Sequence, residues 1–314
     1  MSLPAGTLLQ SRYRILRKLG QGGMGAVYEA FDLHVSAIVA LKETSNSENI
    51  SLQAFRKEAK LLANLHHESL PHVMDCFHEN GGWFFVMEYI EGNDIEKSLE
   101  NSQSLFAIED VLDWADQILD ALEYLHENGI IHLDIKPSNL KLTTRRKIKL
   151  LDFGISKGAI GEITTLQNTY GVYGATRRYA PLEQLLMVYP DSRHMLEVNF
   201  NDRIESFCKT VDLRTDLFAL AMTLYQLLSR RCPETADLRA MSIWSGKGDN
   251  LKPVSDFCPQ FPRAIEAVLQ RALALEKKDR FASASEMRAQ LGAARKIYER
   301  AKAARAAKIL PAPV

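Results

Sequence analysis

The chain has 314 residues, of which 46% are hydrophobic and 25% charged, with 39 basic and 39 acidic side chains. This balance predicts a soluble globular protein and excludes a global field that would recruit nucleic acid or an anionic membrane. The sequence shows no signal peptide and no apolar run of membrane-spanning length, which predicts a cytoplasmic protein or the cytosolic part of a longer one. Four scattered cysteines lack metal-ligand spacing and are expected to be free thiols: Cys76, Cys208, Cys232 and Cys258.

The first part of the chain is predicted to form strands around one helix. Residues 12–43 have β-prone, alternating character broken by a glycine cluster, which predicts a hairpin and a third strand. Residues 51–65 place apolar side chains at helical spacing. Residues 72–90 return to strand character with Gly81-Gly82 as the predicted turn, and Gly92 marks the connection to the second part of the chain.

The rest of the chain is predicted to be mainly helical. Residues 107–126 carry a broad apolar stripe, and Asn128-Gly129 is a helix-stop signal. Short strand-like pieces come next at 130–132, 140–142 and 148–151, further helices are predicted at 212–229, 262–274 and 283–305, and disorder is predicted at 309–314.

Together these patterns predict an α+β fold in which a small β-rich lobe with one helix precedes a larger, mostly helical lobe. No internal repeat or low-complexity tract interrupts the pattern. The predicted segments are an N-terminal extension (1–11), the small lobe (12–91), the large lobe (92–292) and a basic, Ala-rich tail (293–314).

The first motif is the run GQGGMGAV from Gly20 to Val27, which fits GxGxxGxV. Glycines let the backbone pass close to phosphate oxygens without side chains intervening. Dinucleotide-binding folds share the GxGxxG pattern, but there it joins a strand to a helix. Here Tyr28 and Phe31 come next at strand-like positions, which favours a strand–turn–strand flap over bound phosphates.

The second motif is a lysine within an apolar run, VALK, ending at Lys42. A charged side chain inside a strand is costly unless it is paired, and Glu58 on the predicted helix is the candidate partner. Either residue alone would be interpreted as an ordinary surface charge. Because Lys42 and Glu58 come after a glycine flap, they are interpreted as an ion pair that positions phosphates.

The third motif is HLDIKPSN, with DFG further downstream. Phosphoryl transfer needs a carboxylate near the attacking hydroxyl and metal ligands that bridge phosphate oxygens. Asp134 can accept the hydroxyl proton, and Lys136 can neutralise charge on the γ-phosphate. Asn139 and Asp152 are hard oxygen donors that suit Mg²⁺.

With these motifs in order, the sequence resembles the eukaryotic-like Ser/Thr protein kinases of bacteria over about residues 12–290. The resemblance implies a bilobal protein-kinase fold, ATP with Mg²⁺ or Mn²⁺, and Ser/Thr hydroxyls of proteins as acceptors, including the chain's own. The ATP-site residues that it implies are Leu19, Gly20, Gly22, Gly23, Gly25, Val27, Ala40, Lys42, Met87, Glu88, Ile90 and Lys141.

The same resemblance assigns the remaining functional positions. The implied catalytic residues are Asp134, Lys136, Lys42 and Glu58, and the implied metal ligands are Asn139 and Asp152. Thr176 and Glu183 are implied for the substrate platform, and His132, Phe153, Asp216 and Arg280 as structural anchors.

One departure from the family pattern is Leu133, which stands where most members have arginine. That arginine normally meets a phosphate on the activation loop, so the chain resembles a non-RD kinase. The loop offers Thr164, Thr165 and Thr169 as acceptors, but a phosphate there has one contact fewer. The sequence therefore predicts that activity depends only weakly on loop phosphorylation.

A second departure is Lys141, at a position where an apolar side chain usually forms the floor of the adenine pocket. Its stem can pack under the adenine ring while the ammonium reaches water, which we favour. Alternatively the charge impairs ATP binding, which would suit a pseudokinase.

Two further segments have open interpretations. The family pattern leaves a surplus at about residues 187–208, which is either a solvated elaboration or a docking element for a substrate or partner. The stretch 295–308 carries six basic residues and one glutamate. It is predicted to be a solvated helix, with a linker toward a membrane or partner region as the alternative.

Three functions compete on these residues. An active protein kinase accounts for every motif. A dimer is one assembly that such a kinase could form. A pseudokinase scaffold would accommodate Leu133 and Lys141 but gives no reason for intact Lys42, Asp134 and Asp152. A small-molecule phosphotransferase would lack the platform and anchor residues. We therefore favour the active protein kinase.

Overall fold

In this computed structural model, residues 2–22, 25–44, 59–101, 104–152, 176–205, 207 and 211–309 are described. The first lobe is built on one antiparallel sheet of six strands in the order β1-β2-β3-β4-β6-β5. Its strands are β1 (Leu8–Leu9), β2 (Tyr13–Gly22), β3 (Gly25–Asp32), β4 (Ala37–Thr44), β5 (Val73–Glu79) and β6 (Gly82–Glu88).

Strand β3 shows why this sequence forms a sheet with one core face. Its side chains alternate strictly between half-buried and buried. The buried set includes Tyr28 and Ala30, which join Tyr13, Leu41 and Phe84 in a small core of their own. Period-two burial is the signature of a strand with one face packed and one face wetter.

The turn between β5 and β6 lies one residue earlier than Gly81-Gly82. Its central residues are Asn80 and Gly81, with φ of 52° and 79°, and Gly82 already belongs to β6. A two-residue hairpin loop of this hand needs positive φ at both central positions, which Asn and Gly supply at low cost. The predicted position was therefore wrong because the Asn-Gly pair is the stronger turn signal.

A second, three-stranded sheet lies at the start of the larger lobe: β7 (Gly92–Asp94), β8 (Leu140–Thr143) and β9 (Ile148–Leu150). Gly92 has φ of 150°, and a Cβ atom there would lie 2.1 Å from the carbonyl oxygen of Leu142. Only glycine fits this approach. The sequence marked Gly92 as a connection, and the structure shows that close backbone packing requires it.

The larger lobe is helical. Asn128 caps the long second helix and Gly129 comes next with φ of 72°, as the stop signal predicted. The helices of the described part are α1 (Ile95–Asn101), α2 (Ile108–Glu127), α3 (Leu182–Val188), α4 (Pro190–Ile204), α5 (Leu213–Ser229), α6 (Ala236–Trp244), α7 (Arg263–Ala272) and α8 (Ala284–Ile309). Helix α4 occupies the surplus segment, and residues 59–63 are helical within the predicted small-lobe helix.

The basic tail lies along α2 rather than standing alone in solvent. Arg295 pairs with Asp113, and Lys302 pairs with Glu109 in the first turn of α2. The sequence predicted a helix here but not its partner. Residue Ile309, predicted to be disordered, ends α8, and residues 310–314 lie outside the described part. The resulting α+β architecture, a β-rich lobe ahead of a helical lobe, confirms the predicted fold class.

Candidate active site

The predicted catalytic loop, residues 132–139 with the HLDIKPSN motif, is anchored by Asp216 in the first turn of α5. This side chain is fully buried and accepts the backbone N–H groups of His132 and Leu133, each at 2.8 Å. His126 Nε2 lies 2.9 Å from the same carboxylate. Burial acts to raise the pKa of Asp216, but the contacts with His126 and His132 outweigh it and hold the pKa below its usual range.

Helix α5 delivers Asp216 to this depth because of its own sequence. Asp212 caps the helix by accepting the N–H of Arg214 at 2.9 Å. The helix is buried almost all round, with apolar residues on every face, as expected for a helix at the centre of a large lobe. The anchor is therefore as rigid as the core.

Two non-glycine residues at the site have left-handed backbone conformations. Leu133 has φ of 65° and Asp152 has φ of 60°. Such conformations are uncommon and persist only where surrounding contacts over-determine them. Gln184 Nε2 donates to the Leu133 carbonyl at 2.7 Å, and His132 Nε2 lies 3.0 Å from the Leu151 carbonyl.

The residue predicted as proton acceptor sits in a compact hydrogen-bond network. The hydroxyl of Thr176 donates to Oδ1 of Asp134 at 3.2 Å, and Lys136 Nζ lies 3.0 Å from Oδ2. Lys136 also donates to the Thr176 hydroxyl at 2.6 Å. Asn139 Nδ2 donates to the Asp134 carbonyl at 2.8 Å. The structure thus brings together four residues that the sequence places in two separate segments.

The two predicted metal ligands lie on segments tied by a backbone bond from Leu151 N–H to the Asn139 carbonyl, at 2.8 Å. The amide nitrogen of Asn139 donates to the Asp134 carbonyl. The amide oxygen, Oδ1, has lone pairs that suit a hard cation. The carboxylate of Asp152 is the second oxygen donor. An amide and a carboxylate fit Mg²⁺, which takes few protein ligands and completes its shell with phosphates and water.

Lys42 is paired with Asp152 in this structure. Its side chain is only 5% exposed on β4, and Nζ lies 2.9 Å from Asp152 Oδ1. Burial acts to raise the pKa of Asp152, but the Lys42 ammonium lowers it overall. The predicted partner Glu58 lies outside the described residues, as do Gly23, Phe153, Cys208 and the loop threonines Thr164, Thr165 and Thr169.

The other predicted ATP-site residues of the small lobe lie on neighbouring strands or just after them. Strand pairing sets Val27 opposite Lys42 and Ala40 opposite Met87. In the β2–β3 hairpin, Gly22 pairs with Gly25. The predicted residues on strands β2, β3, β4 and β6 are Leu19, Gly20, Gly22, Gly25, Val27, Ala40, Met87 and Glu88, and Ile90 comes two residues after β6.

Lys141 lies beside an acidic side chain of the neighbouring strand, and the interpretation that its stem packs under the adenine ring stays a prediction. The side chain is 17% exposed, and Nζ lies 3.6 Å from Asp94, its register partner on β7. The ammonium also lies 5.8 Å from the ring centre of Tyr89. This pairing was not predicted because β7 and β8 are distant in sequence.

We predict that Lys141→Leu changes the Kd for Mg-ATP by less than about tenfold, or ~1.4 kcal/mol. The reason is that the ammonium of Lys141 is paired with Asp94, so the binding of adenine does not leave this charge buried without a counter-charge. Isothermal titration measures the Kd, and Lys97→Leu, which removes the other cation on Asp94, is the control. A chain that binds ATP only after Lys141 is replaced would support the pseudokinase.

The substrate platform is tied to the helical core by a buried ion pair. Arg280 Nη1 and Nη2 lie 2.7 and 3.0 Å from the two carboxylate oxygens of Glu183, and both side chains are 0% exposed. Thr215 donates to the same carboxylate at 3.1 Å. Arg280 is further satisfied by the carbonyls of Ala274 and Leu275. Every strong donor of the pair is used, as a buried charge requires.

Sequence reasoning missed several residues that hold this site. Asp94, His126 and Gln184 have no motif that announces them, because their partners are set by tertiary packing. Arg177 and Asp237 form a further contact beside the platform. The adjacency of Arg177 to Thr176 was a signal that could have been used.

Known proteins share both the sequence pattern and the fold of this chain. Residues 13–290 match the family model described as "Protein kinase domain". The chain is 32% identical over 292 residues to "Probable serine/threonine-protein kinase SCO3848" of Streptomyces coelicolor, covering 91% of this chain and 40% of that protein. It is 29% identical to Serine/threonine-protein kinase PrkC of Bacillus subtilis, covering 91% and 41% of the two chains.

A solved structure entitled "PpkA-294 apo form" matches with a TM-score of 0.68 at 23% identity, covering 92% of this chain and 99% of that one, which shows the shared fold. The chain spans about two fifths of the length of the curated relatives. None of the described helices combines the length and apolar character needed to cross a membrane. The relatives named here are bacterial serine/threonine-protein kinases, and the match over residues 13–290 shows that the chain belongs to the protein kinase family.

Proposed function

We propose that this chain transfers the γ-phosphoryl group of ATP to Ser and Thr hydroxyls of protein substrates, including its own. The observation that carries the proposal is the network in which Thr176, Lys136 and Asn139 all contact Asp134. It places a cation, an amide and a hydroxyl within hydrogen-bond distance of one carboxylate. The sequence DxKPxN, rather than the tyrosine-kinase form of this loop, supports Ser/Thr as acceptors.

Each residue has a defined part in the transfer. The acceptor hydroxyl oxygen forms a bond to the γ-phosphorus while the bond from that phosphorus to the β-phosphate oxygen breaks, and Asp134 takes the hydroxyl proton. Lys136 balances the negative charge on the transferring group. Thr176 keeps the platform against Asp134, so acceptor and carboxylate are held in one geometry.

Members of this family use ATP and a divalent metal. We propose Mg²⁺, with Mn²⁺ as an alternative, bound through Asn139 and Asp152. Bound there, the ion would supply positive charge that neutralises the phosphates. Lys42 Nζ lies 2.9 Å from Asp152 and would supply a second positive charge to the phosphates.

The proposal is tested with peptide libraries that differ only in a central Ser, Thr or Tyr. With Mg-ATP or Mn-ATP, the wild type should phosphorylate the Ser and Thr libraries and not the Tyr library. Asp152→Asn, which weakens the metal site without changing the shape of the side chain, is the control and should be at background.

Binding of ATP without phosphorylation of any library would favour the pseudokinase scaffold, the second candidate, which would explain Lys141 and tolerate Leu133. Equal transfer to Tyr would contradict the acceptor class.

Three finer expectations stay predictions. They are a cytoplasmic location, where ATP is available, a dimer, and a docking role for residues 187–208. Protein substrates and ATP are the partners that family membership supports. The balanced charge of the chain supports the expectation that nucleic acid is not a partner.

A further inference from the structure

The surplus segment between α3 and α5 is folded against the side of the substrate platform. Ser192, in the first turn of α4, is fully buried. Its hydroxyl donates to Oδ2 of Asp237 at 2.7 Å. Asp237 lies in the first turn of α6 and is also fully buried. A buried hydroxyl–carboxylate bond fixes the start of α4 on α6 at one point.

Asp237 also binds the platform segment itself. Nε and Nη2 of Arg177 lie 3.2 and 2.7 Å from the same Oδ2 atom. Burial acts to raise the pKa of Asp237, but hydrogen bonds from Thr235, Ser192 and Arg177 lower it overall, so the carboxylate is charged. Arg177 comes directly after Thr176, whose hydroxyl donates to the catalytic-loop carboxylate. Helix α4 and the platform segment are thus joined through one carboxylate, that of Asp237, which accepts from both Ser192 and Arg177.

Aromatic packing holds the far end of α4 in the same place. The ring of Trp244, at the end of α6, lies 5.5 Å from that of Phe200 and 5.7 Å from that of Phe207. The backbone of α4 departs from helical geometry at Phe200. The Phe200–Trp244 pair is edge-to-face and the Phe207–Trp244 pair is tilted, and aromatic contacts at these distances are favourable. Helix α4 is therefore docked along α6 at both ends.

The two ends of the surplus segment also meet the catalytic loop. Leu133 is 3% exposed and packs in one apolar cluster with Ile131 and Val211, against which Met187 is half-buried. Met187 is in α3 and Val211 leads into α5, so the cluster gathers both flanks of the surplus segment. The contact that Leu133 makes with Met187 and Val211, on either side of the surplus segment, is therefore apolar.

We propose that α4 is a built-in positioning element for the peptide substrate. Ser192 orients the carboxylate of Asp237, Asp237 holds Arg177, and Arg177 fixes the segment on which Thr176 meets Asp134. Ser192 and Asp237 act as positioning residues, since they reach the substrate only through Arg177. This inference rests on the proposed Ser/Thr kinase activity.

The test uses the peptide that the wild type phosphorylates best in the Ser and Thr libraries. Ser192→Ala should raise KM for the peptide about three- to tenfold, with KM for ATP within about twofold, because only the peptide side of the site loses its support. Ser242→Ala removes a hydroxyl hydrogen bond of the same 2.7 Å length elsewhere on α6 and should change neither constant.

Two variants of Arg177 separate positioning from simple loss of fold. Arg177→Gln should reproduce the rise in peptide KM, and Arg177→Lys, which keeps a charge for Asp237, should restore KM to within about threefold of the wild type. In the Arg177→Gln background, Ser192→Ala should add less than about twofold, because it acts through the same contact.

An unchanged peptide KM in Ser192→Ala, or additive effects in the double variant, would overturn the inference while leaving the kinase activity intact. Equal losses for ATP and peptide, with a lowered Tm, would show a role in stability only and would overturn it too. A wild type that phosphorylates no peptide overturns both this inference and the proposed function.

Discussion

Asp134→Asn is expected to lower kcat for phosphoryl transfer by about 10²–10⁴-fold while the Kd for Mg-ATP changes little. The exchange removes the proton acceptor and keeps the shape of the side chain. The amide oxygen of asparagine can still accept from Lys136 Nζ and Asn139 Nδ2, which lie 3.0 and 3.1 Å from Oδ2, so these contacts are kept. Steady-state kinetics with the preferred peptide and isothermal titration with Mg-ATP measure the two quantities.

The matched control is Asp256→Asn, a carboxylate of the helical lobe in a short 3₁₀ turn away from this network. It should leave both constants within about twofold of the wild type, as distant surface exchanges usually do. If Asp134→Asn retains undiminished kcat, Asp134 is not the proton acceptor, and the proposed mechanism is wrong.

Arg280→Met is expected to lower the free energy of unfolding by about 3–5 kcal/mol, because it leaves the fully buried carboxylate of Glu183 without its counter-charge. Denaturant unfolding, with coincidence of two probes as the check on two-state behaviour, measures the change. Arg193→Met breaks an exposed pair with Glu197 within α4 and should cost less than about 0.5 kcal/mol.

The double variant Glu183→Leu/Arg280→Met makes this prediction sharper. It removes both charges, so it should be more stable than Arg280→Met alone, even though Thr215 loses its acceptor. A double variant as unstable as the sum of two single losses would show that packing volume, and not the orphaned charge, sets the cost.

Much of the site could be predicted because its residues stand in short, ordered motifs. Asp134, Lys136 and Asn139 are neighbours in sequence, and their chemistry requires them to be neighbours in space. The helix stop at Asn128-Gly129 and the strands of the small lobe depend on local signals, which a single sequence carries.

The unpredicted features all depend on contacts between distant segments. Lys141 meets Asp94 because β7 pairs with β8. The register of this pairing cannot be predicted from the sequence of either strand alone. Helix α4 forms within a surplus stretch that has weak amphipathic character, since its docking depends on Ser192 and an aromatic contact with Trp244. Such contacts override local propensity.

The pairing of β7 with β8 also determines how the two lobes can move. Gly92 is packed against Leu142, so β7 travels with the larger lobe, while Glu88 ends β6 in the smaller one. The covalent crossing between these strands is therefore confined to residues 89–91. Hydrogen bonds also join the two lobes, among them the bond from Leu150 N–H to the Ser69 carbonyl, at 2.8 Å, and the bond from Lys149 Nζ to Glu88, at 3.0 Å. The bond from Lys42 Nζ to Asp152 joins them as well, so any motion that carries β4 away from Asp152 has to break it.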